Sequence, residues 1–290
     1  MLRLAKKILT HIGIDVRNVH ERLSGYSIKL AIKQNGYAEM LERLRTIVPD
    51  ISNQESSEAS TFNDYWELKR RTLHVFQCRM MLKALEMLQQ DSLVVVDIGD
   101  SAGTHMLYLR DLTRNKFSLD TVSVNLDPRA IKKIEARGLK AVHCRAEELD
   151  LGGRSVDLFT SFQMVEHLHN PALFFRRLAK KSSCCRMVIT VPYLKRSRVG
   201  LHHTRYGAVR PFFAEDEHIF ELCPRDWELL ILHAGWRVKH SEIYYQYPRR
   251  IPVVSTLLSW FWKNTDYEGF WGAVLEKDTT LSDCYQDWEN

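Results

Sequence analysis

A short segment near the middle of this 290-residue sequence has residue types and spacing that suit ligand binding. Leu93 to Val96 form an unbroken apolar run, Asp97 follows it, and glycines stand at positions 99 and 103. Glycine lets the backbone turn sharply and approach a ligand closely, and a strand, turn and helix in that order present backbone N–H groups at the helix start. The segment therefore predicts a nucleotide-like ligand held by free N–H groups of the turn.

The rest of the chain must supply the sheet that holds this turn. Apolar residues without polar alternation are typical of a strand covered on both faces, as in a parallel sheet. Further strands are expected at 121–126, 141–144, 155–162, 186–191, 236–245 and 270–276. Helices are expected at 102–112, 128–137, 171–180 and 225–234. This order predicts an α/β fold: a doubly wound, mostly parallel sheet of seven strands with Rossmann-like topology.

Two motifs resemble those of class I S-adenosylmethionine-dependent methyltransferases. The turn from Asp97 to Gly103 is similar to their first motif, with Ser101 in place of the middle glycine, and lacks the Gly-x-Gly-x-x-Gly spacing of dinucleotide sites. The segment 155–168, which ends on Glu-His-Leu, looks like the fourth motif of type 11 and type 23 methyltransferases. The resemblance covers about residues 90–277. A tight turn in some other α/β protein is the alternative.

This resemblance implies S-adenosyl-L-methionine as the cofactor. Family members hold its amino-acid end with the first motif, its ribose and adenine with residues that follow the next two strands, and its methionine side with a residue that follows the fourth strand, here Gln163. Carried over to this sequence, the binding residues are Asp97, Gly99, Ser101, Gly103, Asn125, Asp127, Ala146, Glu147 and Gln163. The methyl donor is already activated, so we expect positioning and exclusion of water to do much of the catalytic work.

Two residues depart from the family pattern. Asn125 stands where the family usually places an acid that takes both ribose hydroxyls, and an amide accepts through one oxygen only. Asp127 could substitute, but a helix N-cap ahead of Pro128 is the favoured role. Arg145 stands where an acid often meets the adenine; if Arg145 faces solvent, Glu147 or Glu148 serves instead, or no side chain is needed there. These departures keep a non-catalytic relative open as an alternative.

A second group of polar residues predicts the catalytic role. Glu166 and His167 follow the fourth expected strand, and His218 stands in a later Asp-Glu-His-Ile-Phe-Glu segment. Because neutral imidazole is available near neutral pH, His167 or His218 is expected to act as general base for a hydroxyl, beside Glu166. The set also resembles the magnesium ligands of small-RNA 2′-O-methyltransferases, but Gln163 replaces their first carboxylate, so no metal is expected. Packing at the rim of the site is the alternative for His218.

Composition limits the class of protein. A chain that is 45% hydrophobic can bury a substantial core, and no stretch reaches the roughly 18 to 20 apolar residues of a membrane-spanning helix. The 6 cysteines form no Cys-x-x-Cys pair and follow no signal peptide, which predicts reduced thiols in the cytoplasm, without disulfides or structural zinc. The net charge of +5 is modest and no basic run is interleaved with aromatics, so no nucleic-acid partner is expected.

The expected domain organisation has three parts. Residues 1–88 form a helical extension that caps the cofactor pocket and is divided at 50–61 by a polar linker or exposed loop. Residues 89–277 form the methyltransferase domain, with an insertion at about 247–267. Residues 278–290 form an acidic tail.

Two apolar segments with basic flanks bear on the acceptor. Residues 2–12 have the pattern of a basic amphipathic helix, and 249–263 combines tryptophans with arginines. Both suit a membrane surface, while packing on the core, a lid or a dimer contact are the alternatives. The connection 193–216 adds basic residues that suit an anionic or polyhydroxyl acceptor or simply face solvent: His202, His203, Arg205 and Arg210.

These features together predict O-methylation of a sugar, glycan or lipid-linked hydroxyl. The leader at 4–16 resembles those of bacterial surface-polysaccharide enzymes, which favours polysaccharide biosynthesis, in the cytoplasm or at a membrane periphery. A quinone-like small-molecule acceptor is the alternative within the enzyme class. From another class, the alternative is a pseudomethyltransferase that binds S-adenosylmethionine or a partner protein without catalysis. The sequence leaves the oligomeric state open.

Overall fold

The computed structural model describes residues 15–54, 62–150, 152–153, 155–200 and 217–285. Within these residues the helices, in chain order, are α1 (Val16–Asn35), α2 (Ala38–Ile47), α3 (Asp64–Glu86), α4 (Thr104–Thr113), α5 (Pro128–Ala136), α6 (Pro171–Lys181), α7 (Pro224–His233) and α8 (Pro252–Thr265). The strands are β1 (Ser92–Ile98), β2 (Ser118–Asn125), β3 (Lys140–His143), β4 (Leu158–Phe162), β5 (Arg186–Pro192), β6 (Arg198–Val199), β7 (Phe220–Glu221), β8 (Trp236–Tyr245) and β9 (Gly269–Lys277).

Seven strands form one sheet in the order β3-β2-β1-β4-β5-β9-β8. Strands β1 to β5 are parallel, and β9 runs antiparallel to both β5 and β8. Strands β6 and β7 pair separately. The strand order reverses between β1 and β4, where the carboxyl ends of parallel strands open a crevice that commonly binds ligands. The predicted doubly wound α/β fold is confirmed.

The central strand β1 is buried on both faces, as its apolar run predicts. Val95 belongs to a hydrophobic cluster that α1 to α3 cover. Val96 belongs to a second cluster on the opposite face, which includes residues of α6 and α7. Because successive side chains of a strand point to opposite faces, Asp97 follows Val95 and lies on the α3 side of the sheet.

Helix α3 is held to α2 and α4 by a fully buried arginine. Arg71 is 0% exposed and its guanidinium is surrounded by acceptors. It donates hydrogen bonds to backbone oxygens of Leu44, Val48 and Pro49, at the end of α2, and to the hydroxyl of Tyr108 on α4. The last carbonyls of a helix have no partner within it, so Arg71 satisfies groups that would otherwise be buried unpaired. This arrangement ties α2, α3 and α4 together beside the candidate site.

One strand is shorter than its pattern predicts. Strand β4 begins at Leu158, whereas the pattern extends it back to residue 155. Just before it, the Asp157 carboxylate accepts a hydrogen bond from the backbone N–H of Val94 at 2.7 Å. A side chain therefore takes a β1 donor that a longer β4 would have paired through its backbone.

The polar segment 50–61 is only partly an exposed linker. Residues Ser52–Gln54 form a 3₁₀ turn, and Ile51 and Gln54 are 1% and 8% exposed. Residues 55–61 lie outside the described residues, as do the amphipathic segment 2–12 and the four basic residues from His202 to Arg210. No helix in the described part of the chain is long and apolar enough to cross a membrane.

The insertion before β9 forms helix α8, which packs on α1. The indole N–H of Trp262 donates to the Ser27 hydroxyl at 3.0 Å, and both residues are buried. On another face of α8, Val253, Leu257 and Trp260 are 72%, 65% and 66% exposed. These three residues follow a spacing of four and three, so they form one apolar stripe along the helix. We call this set the α8 stripe.

His74 on α3 should make the protein sensitive to acid. Burial, and next the neighbouring His105, lower the pKa of His74 well below its usual 6.5. Below pH 6.5 the unfolded chain therefore binds a proton that the folded chain does not, and stability falls by about 1.4 kcal/mol per pH unit for this histidine. We expect His74→Gln to flatten the dependence of the unfolding free energy on pH, measured in urea between pH 7 and 5.

The matched control is His169→Gln, because His169 is exposed. It should leave the slope as in the unsubstituted protein. Equal slopes for both variants would contradict this account, whatever their absolute stabilities.

Candidate functional site

The candidate site centres on a buried carboxylate at the carboxyl end of β1. Asp97 is 1% exposed, and its Oδ1 accepts a hydrogen bond from the Thr160 hydroxyl of β4 at 2.8 Å. Its Oδ2 has no hydrogen-bond partner among the described residues, and Nδ1 of His105 lies 3.8 Å from it. Burial, together with the nearby Asp100, raises the pKa of Asp97 well above its usual value. One carboxylate oxygen of Asp97, Oδ2, can therefore accept a hydrogen bond from a ligand or contact a cation.

The turn after Asp97 bends through two glycines. Gly99 has φ +93° and Gly103 has φ +75°, both in the region that favours glycine. A Cβ on Gly99 would lie 2.7 Å from Cγ of Met164, and a Cβ on Gly103 would lie 2.4 Å from Cδ1 of Leu139. Gly99 therefore needs glycine for space as well as for backbone conformation, whereas at Gly103 the close atom is the end of a flexible leucine side chain and the backbone conformation is the main requirement.

The prediction of free N–H groups in this turn is wrong for two of them. Asp100 is 5% exposed, and its Oδ1 accepts hydrogen bonds from the N–H groups of Ala102 and Gly103 at 3.1 and 2.7 Å. Its Oδ2 accepts from the Ser123 hydroxyl at 2.6 Å. The chain's own carboxylate thus occupies the place at the start of α4 where a phosphate could bind. A second anion there would be repelled, which disfavours dinucleotides and leaves a ligand without phosphate, such as S-adenosylmethionine.

The residues at the end of β2 hold the turn in place. Asn125 Nδ2 donates to the carbonyl oxygen of Asp100 at 2.9 Å, and its Oδ1 accepts from the N–H of Asp127 at 2.7 Å. Asp127 caps α5, where its Oδ1 accepts from the N–H of Arg129 at 2.8 Å, and its carboxylate also pairs with that guanidinium. The favoured capping role of Asp127 matches this geometry. Its role in holding a ribose stays a prediction.

The predicted adenine-side residues lie next to Asn125. The N–H of Cys144 donates to the carbonyl oxygen of Asn125 at 3.1 Å, and Ala146–Glu148 then form a 3₁₀ turn. Ala146 and Glu147 are half-buried, whereas Arg145 is exposed. The Arg145 guanidinium lies 3.9 Å from the Glu147 carboxylate. The structure therefore brings Ala146 and Glu147 to the same edge of the sheet as the turn.

The methionine side of the site contains a polar network that the sequence analysis only partly identified. Gln163 has φ +52° and donates through Nε2 to the Thr190 hydroxyl on β5 at 3.1 Å. Gln77 of α3 donates to the same hydroxyl at 3.0 Å, and its Oε1 lies 2.8 Å from Nε2 of His105. The His105 ring also contacts that of Phe162, with centroids 4.7 Å apart. Helix α3 thus closes this side of the site, and burial lowers the pKa of His105 to about 4.

Sequence reasoning missed Gln77 and His105 because nothing in their local pattern marks them. Both lie on helices, 28 positions apart, and they meet only where α3 and α4 cross the carboxyl edge of the sheet. Asp100 gave a stronger signal, since an acid inside a glycine turn is suited to capping the following helix.

The three predicted catalytic residues come together at the carboxyl edge beyond β4. Glu166, His167 and His218 each offer a ligand atom, and these atoms all lie within 4.8 Å of one another. The two imidazole rings are perpendicular, with centroids 4.7 Å apart. Glu166 and His167 lie in the 3₁₀ turn Val165–His167, and the N–H of Ile219 donates to the Glu166 carbonyl at 2.8 Å. We call these three residues the Glu-His-His cluster.

Both histidines of the cluster are oriented through their Nδ1 atoms. Nδ1 of His167 lies 2.9 Å from the carbonyl oxygen of Glu217, which can only accept, so Nδ1 carries the proton. Nδ1 of His218 lies 2.8 Å from the hydroxyl of Tyr267, which itself donates to Glu221. Nδ1 of His218 is thus the donor in that contact too. In the neutral rings this arrangement leaves the lone pair on Nε2 of both histidines.

Burial and neighbouring charges shift the pKa values of the residues in and beside the cluster in opposite directions. Burial raises the pKa of Glu166, although His167 and His218 act against it. For Glu221 burial acts the same way, but hydrogen bonds from His218, Arg198 and Tyr267 lower its pKa to about 2. Burial acts to lower the pKa of His218, but its hydrogen bond to Glu221 and the nearby Glu166 raise it above 6.5. Glu221 therefore stays ionised and anchors His218.

Comparison with known proteins identifies the fold and then the domain. The sheet order and the turn after β1 define a Rossmann-like α/β fold of the class I type. Residues 96–181 match the family model described as Methyltransferase domain. The chain therefore contains a class I S-adenosylmethionine-dependent methyltransferase domain, as its motifs predict, and the cofactor of that family is S-adenosylmethionine. No curated protein matches the chain.

Solved structures with a similar fold have low sequence identity to this chain. A chain of the complex between the Haloferax volcanii Trm112 methyltransferase activator and a candidate methyltransferase is 15% identical, with 74% of this chain and 95% of that chain covered, and a TM-score of 0.51. A candidate sarcosine dimethylglycine methyltransferase of Galdieria sulphuraria is 14% identical, with 83% of this chain and 98% of that chain covered, and a TM-score of 0.51. The cyclase SpnF is 10% identical, with 86% of this chain and 96% of that chain covered, and a TM-score of 0.52. At such identity the likeness concerns the fold alone.

Gly99 allows a direct test of the turn. Gly99→Ala should destabilise the protein through both its left-handed backbone and the contact with Met164. The backbone part is about 1–2 kcal/mol for a residue with a Cβ. Gly36→Ala is the matched control, because Gly36 has φ +66° and open space around its Cβ position. We expect Gly99→Ala to cost at least twice as much as Gly36→Ala in urea unfolding, and Met164→Ala in the same chain to recover part of the difference. Equal costs would show that the Met164 contact does not limit the site.

Proposed function

We propose that this chain transfers the methyl group of S-adenosylmethionine to a hydroxyl of its acceptor. The observation that supports this most is the buried Asp97, whose Oδ2 has no hydrogen bond from any described residue and lies beside a glycine turn with no room for a Cβ at Gly99. A positively charged amino group would compensate that oxygen, and the amino-acid end of the cofactor carries one. The residues present therefore fit this cofactor.

Other residues of the site have separate tasks in this proposal. When bound, S-adenosylmethionine supplies a methyl group already activated by its sulfonium. Asp97, Gly99 and Gly103 hold its amino-acid end, with Ser101 in the same turn. Asn125, Asp127, Ala146 and Glu147 flank the ribose and adenine. Gln163, held to Thr190, bounds the methionine side, and α3 excludes water through Gln77.

A hydroxyl acceptor suits the Glu-His-His cluster. A hydroxyl must lose its proton as it takes the methyl group, and a neutral imidazole can accept it. In this proposal His167 or His218 accepts that proton, and the Glu221 carboxylate stabilises His218 once it is charged. A nitrogen or carbon acceptor that is already nucleophilic would have no use for such a cluster.

A lipid-linked glycan is the acceptor that we favour. Helix α8 carries the exposed apolar α8 stripe, with exposed Arg249 and Arg250 just before it. Its last residues lead directly into Tyr267, which contacts His218. An apolar helix face with neighbouring arginines is suited to the surface of an anionic membrane. This proposal places the protein in the cytoplasm, at the membrane periphery, with the acceptor hydroxyl presented to the cluster from the α8 side.

Two other functions make different predictions. A quinone-like small molecule would need no membrane surface. A pseudomethyltransferase would bind the cofactor or a partner protein but transfer no methyl group, and the similar fold of the cyclase SpnF shows that this fold is not restricted to proteins named as methyltransferases. Release of S-adenosylhomocysteine with a hydroxyl-bearing acceptor, in the presence of liposomes, separates the proposed function from both.

Asp97 provides the test of cofactor binding. Asp97→Asn keeps the shape of the side chain but removes the charge that compensates an ammonium group. We expect the dissociation constants of S-adenosylmethionine and S-adenosylhomocysteine, measured by calorimetry, to rise at least about tenfold, which is about 1.4 kcal/mol. Asp120→Asn is the control, since Asp120 lies on β2 and pairs with Lys140 in a partly exposed ion pair.

Unchanged affinity in Asp97→Asn would place the amino-acid end of the cofactor elsewhere. Absence of binding to the unsubstituted chain would remove the proposed function altogether.

The α8 stripe provides the test of membrane contact. Leu257→Glu combined with Trp260→Glu replaces apolar side chains that would enter the bilayer by carboxylates, so binding to phosphatidylglycerol liposomes should fall at least tenfold in flotation assays. Leu229→Glu is the control, because Leu229 is 49% exposed on a different helix, α7. Equal binding by both variants, or no binding by the unsubstituted chain, would refute the membrane surface as the role of the stripe.

A further inference from the structure

We propose that the Glu-His-His cluster is a binding site for a divalent transition-metal ion. Glu166 provides a carboxylate, and His167 and His218 provide imidazole nitrogens, with all three ligand atoms within 4.8 Å of one another. The binding step does not depend on the proposed methyl transfer. The proposed metal site contradicts the expectation, drawn from the sequence, that these residues bind no metal, which rested on the glutamine at position 163 in place of a carboxylate.

The buried carboxylate of Glu166 is the first reason. Glu166 is 1% exposed, and neither of its two carboxylate oxygens has a hydrogen-bond partner among the described residues. A carboxylate removed from water without hydrogen bonds or a cation costs several kcal/mol of stability. The crevice next to it is lined by His218 and by the apolar side chains of Val191 and Pro192, and those two side chains offer the carboxylate no hydrogen-bond donor. An ion at the cluster would compensate the charge.

The orientation of the imidazole rings is the second reason. Each ring has its Nδ1 fixed by an acceptor, the Glu217 carbonyl for His167 and the hydroxyl of Tyr267 for His218. Metal-binding histidines commonly donate from one ring nitrogen to a carbonyl or carboxylate, which fixes the other nitrogen as the ligand. Tyr267 in turn donates to Glu221, so His218 is oriented through a hydroxyl by a buried carboxylate.

The donor set identifies the class of ion. One carboxylate and two imidazoles suit manganese, iron, cobalt or zinc, whereas magnesium prefers oxygen ligands throughout. Gln163 adds no carboxylate to this set, and its amide is held to the Thr190 hydroxyl through Nε2. The cluster is therefore a site for a transition-metal ion rather than for magnesium.

The site also deepens the proposed function, on which this step rests. Three protein ligands leave at least one coordination position for another oxygen atom. A hydroxyl of the acceptor bound there would lose its proton to water more readily, because the charge of the ion lowers its pKa. With the ion bound, His167 and His218 act as metal ligands rather than as general bases. They then promote loss of the acceptor's hydroxyl proton indirectly, through the ion that they hold.

The test is a titration of the chelator-treated, full-length chain with cobalt(II) alone. We expect one equivalent to bind with a visible d–d absorption, and zinc to displace it. Glu166→Gln and, separately, His218→Asn should each weaken cobalt binding at least tenfold. His240→Asn is the matched control, since His240 lies 2.9 Å from Glu242 in a histidine–carboxylate pair away from the cluster, on the edge strand β8. It should bind cobalt as the unsubstituted chain does.

Thermal unfolding separates a lost ligand from a lost fold. Without metal, Glu166→Gln should unfold at a higher temperature than the unsubstituted chain, because it removes a buried charge that no described residue hydrogen-bonds, and it should gain no further stability from cobalt. Absence of saturable cobalt binding, or binding that Glu166→Gln and His218→Asn leave unchanged, would overturn the proposal. Calorimetry with S-adenosylhomocysteine reports on the cofactor site independently: cobalt binding without cofactor binding contradicts only the proposed function, and the reverse contradicts only the metal site.

Discussion

The cost of burying negative charge at the carboxyl edge of the sheet is the constraint on which the site depends. Asp97 and Glu166 are both about 1% exposed, and each has at least one carboxylate oxygen without a hydrogen-bond partner in the described part of the chain. Burial raises the pKa of both carboxyls. Apart from the hydrogen bond that Asp97 accepts from Thr160, the packing of the described residues does not need these charges, because apolar residues of similar size would fill the same space at lower cost. Their presence is therefore best understood through the positive groups that they would bind, an ammonium group at Asp97 and a metal ion at Glu166.

The surrounding structure holds the polar groups around these buried carboxylates in fixed positions. Helix α3 packs along the sheet, is tied to α2 and α4 through Arg71, and extends Gln77 over the edge near Asp97. Tyr267, in the segment that joins α8 to β9, and Glu221 of β7 hold His218 in position through hydrogen bonds. Rigid elements on both sides thus hold the polar groups where water is excluded, and an electrostatic interaction is stronger in such a place than in water.

Particular residues show how far the sequence could be interpreted. The apolar run before Asp97 indicated a doubly covered strand, because only burial on both faces makes such a run favourable, and β1 occupies that position. The resemblance of the 155–168 segment placed Glu166 and His167 correctly after β4. Asp100 was different: its spacing permitted both a solvent-facing acid and an internal cap, and the N–H groups of Ala102 and Gly103 were therefore wrongly expected to be free. Gln77 and His105 could not be found, since a contact between two helices depends on how each packs on the sheet.

The sequence by itself determined the class of fold, the glycine turn and the methyltransferase motifs, because these depend on local patterns: the alternation of strands and helices, glycine conformations and the order of motifs along the chain. Only the tertiary structure decided what each polar side chain does. It brought His218 to Glu166 and His167 across about fifty residues of chain and assigned Asp100 to the turn itself. It also left oxygens of Asp97 and Glu166 without a hydrogen bond from the described residues. The physical reason is that hydrogen bonding and desolvation depend on distances between distant segments, and those distances exist only once the helices and strands have packed.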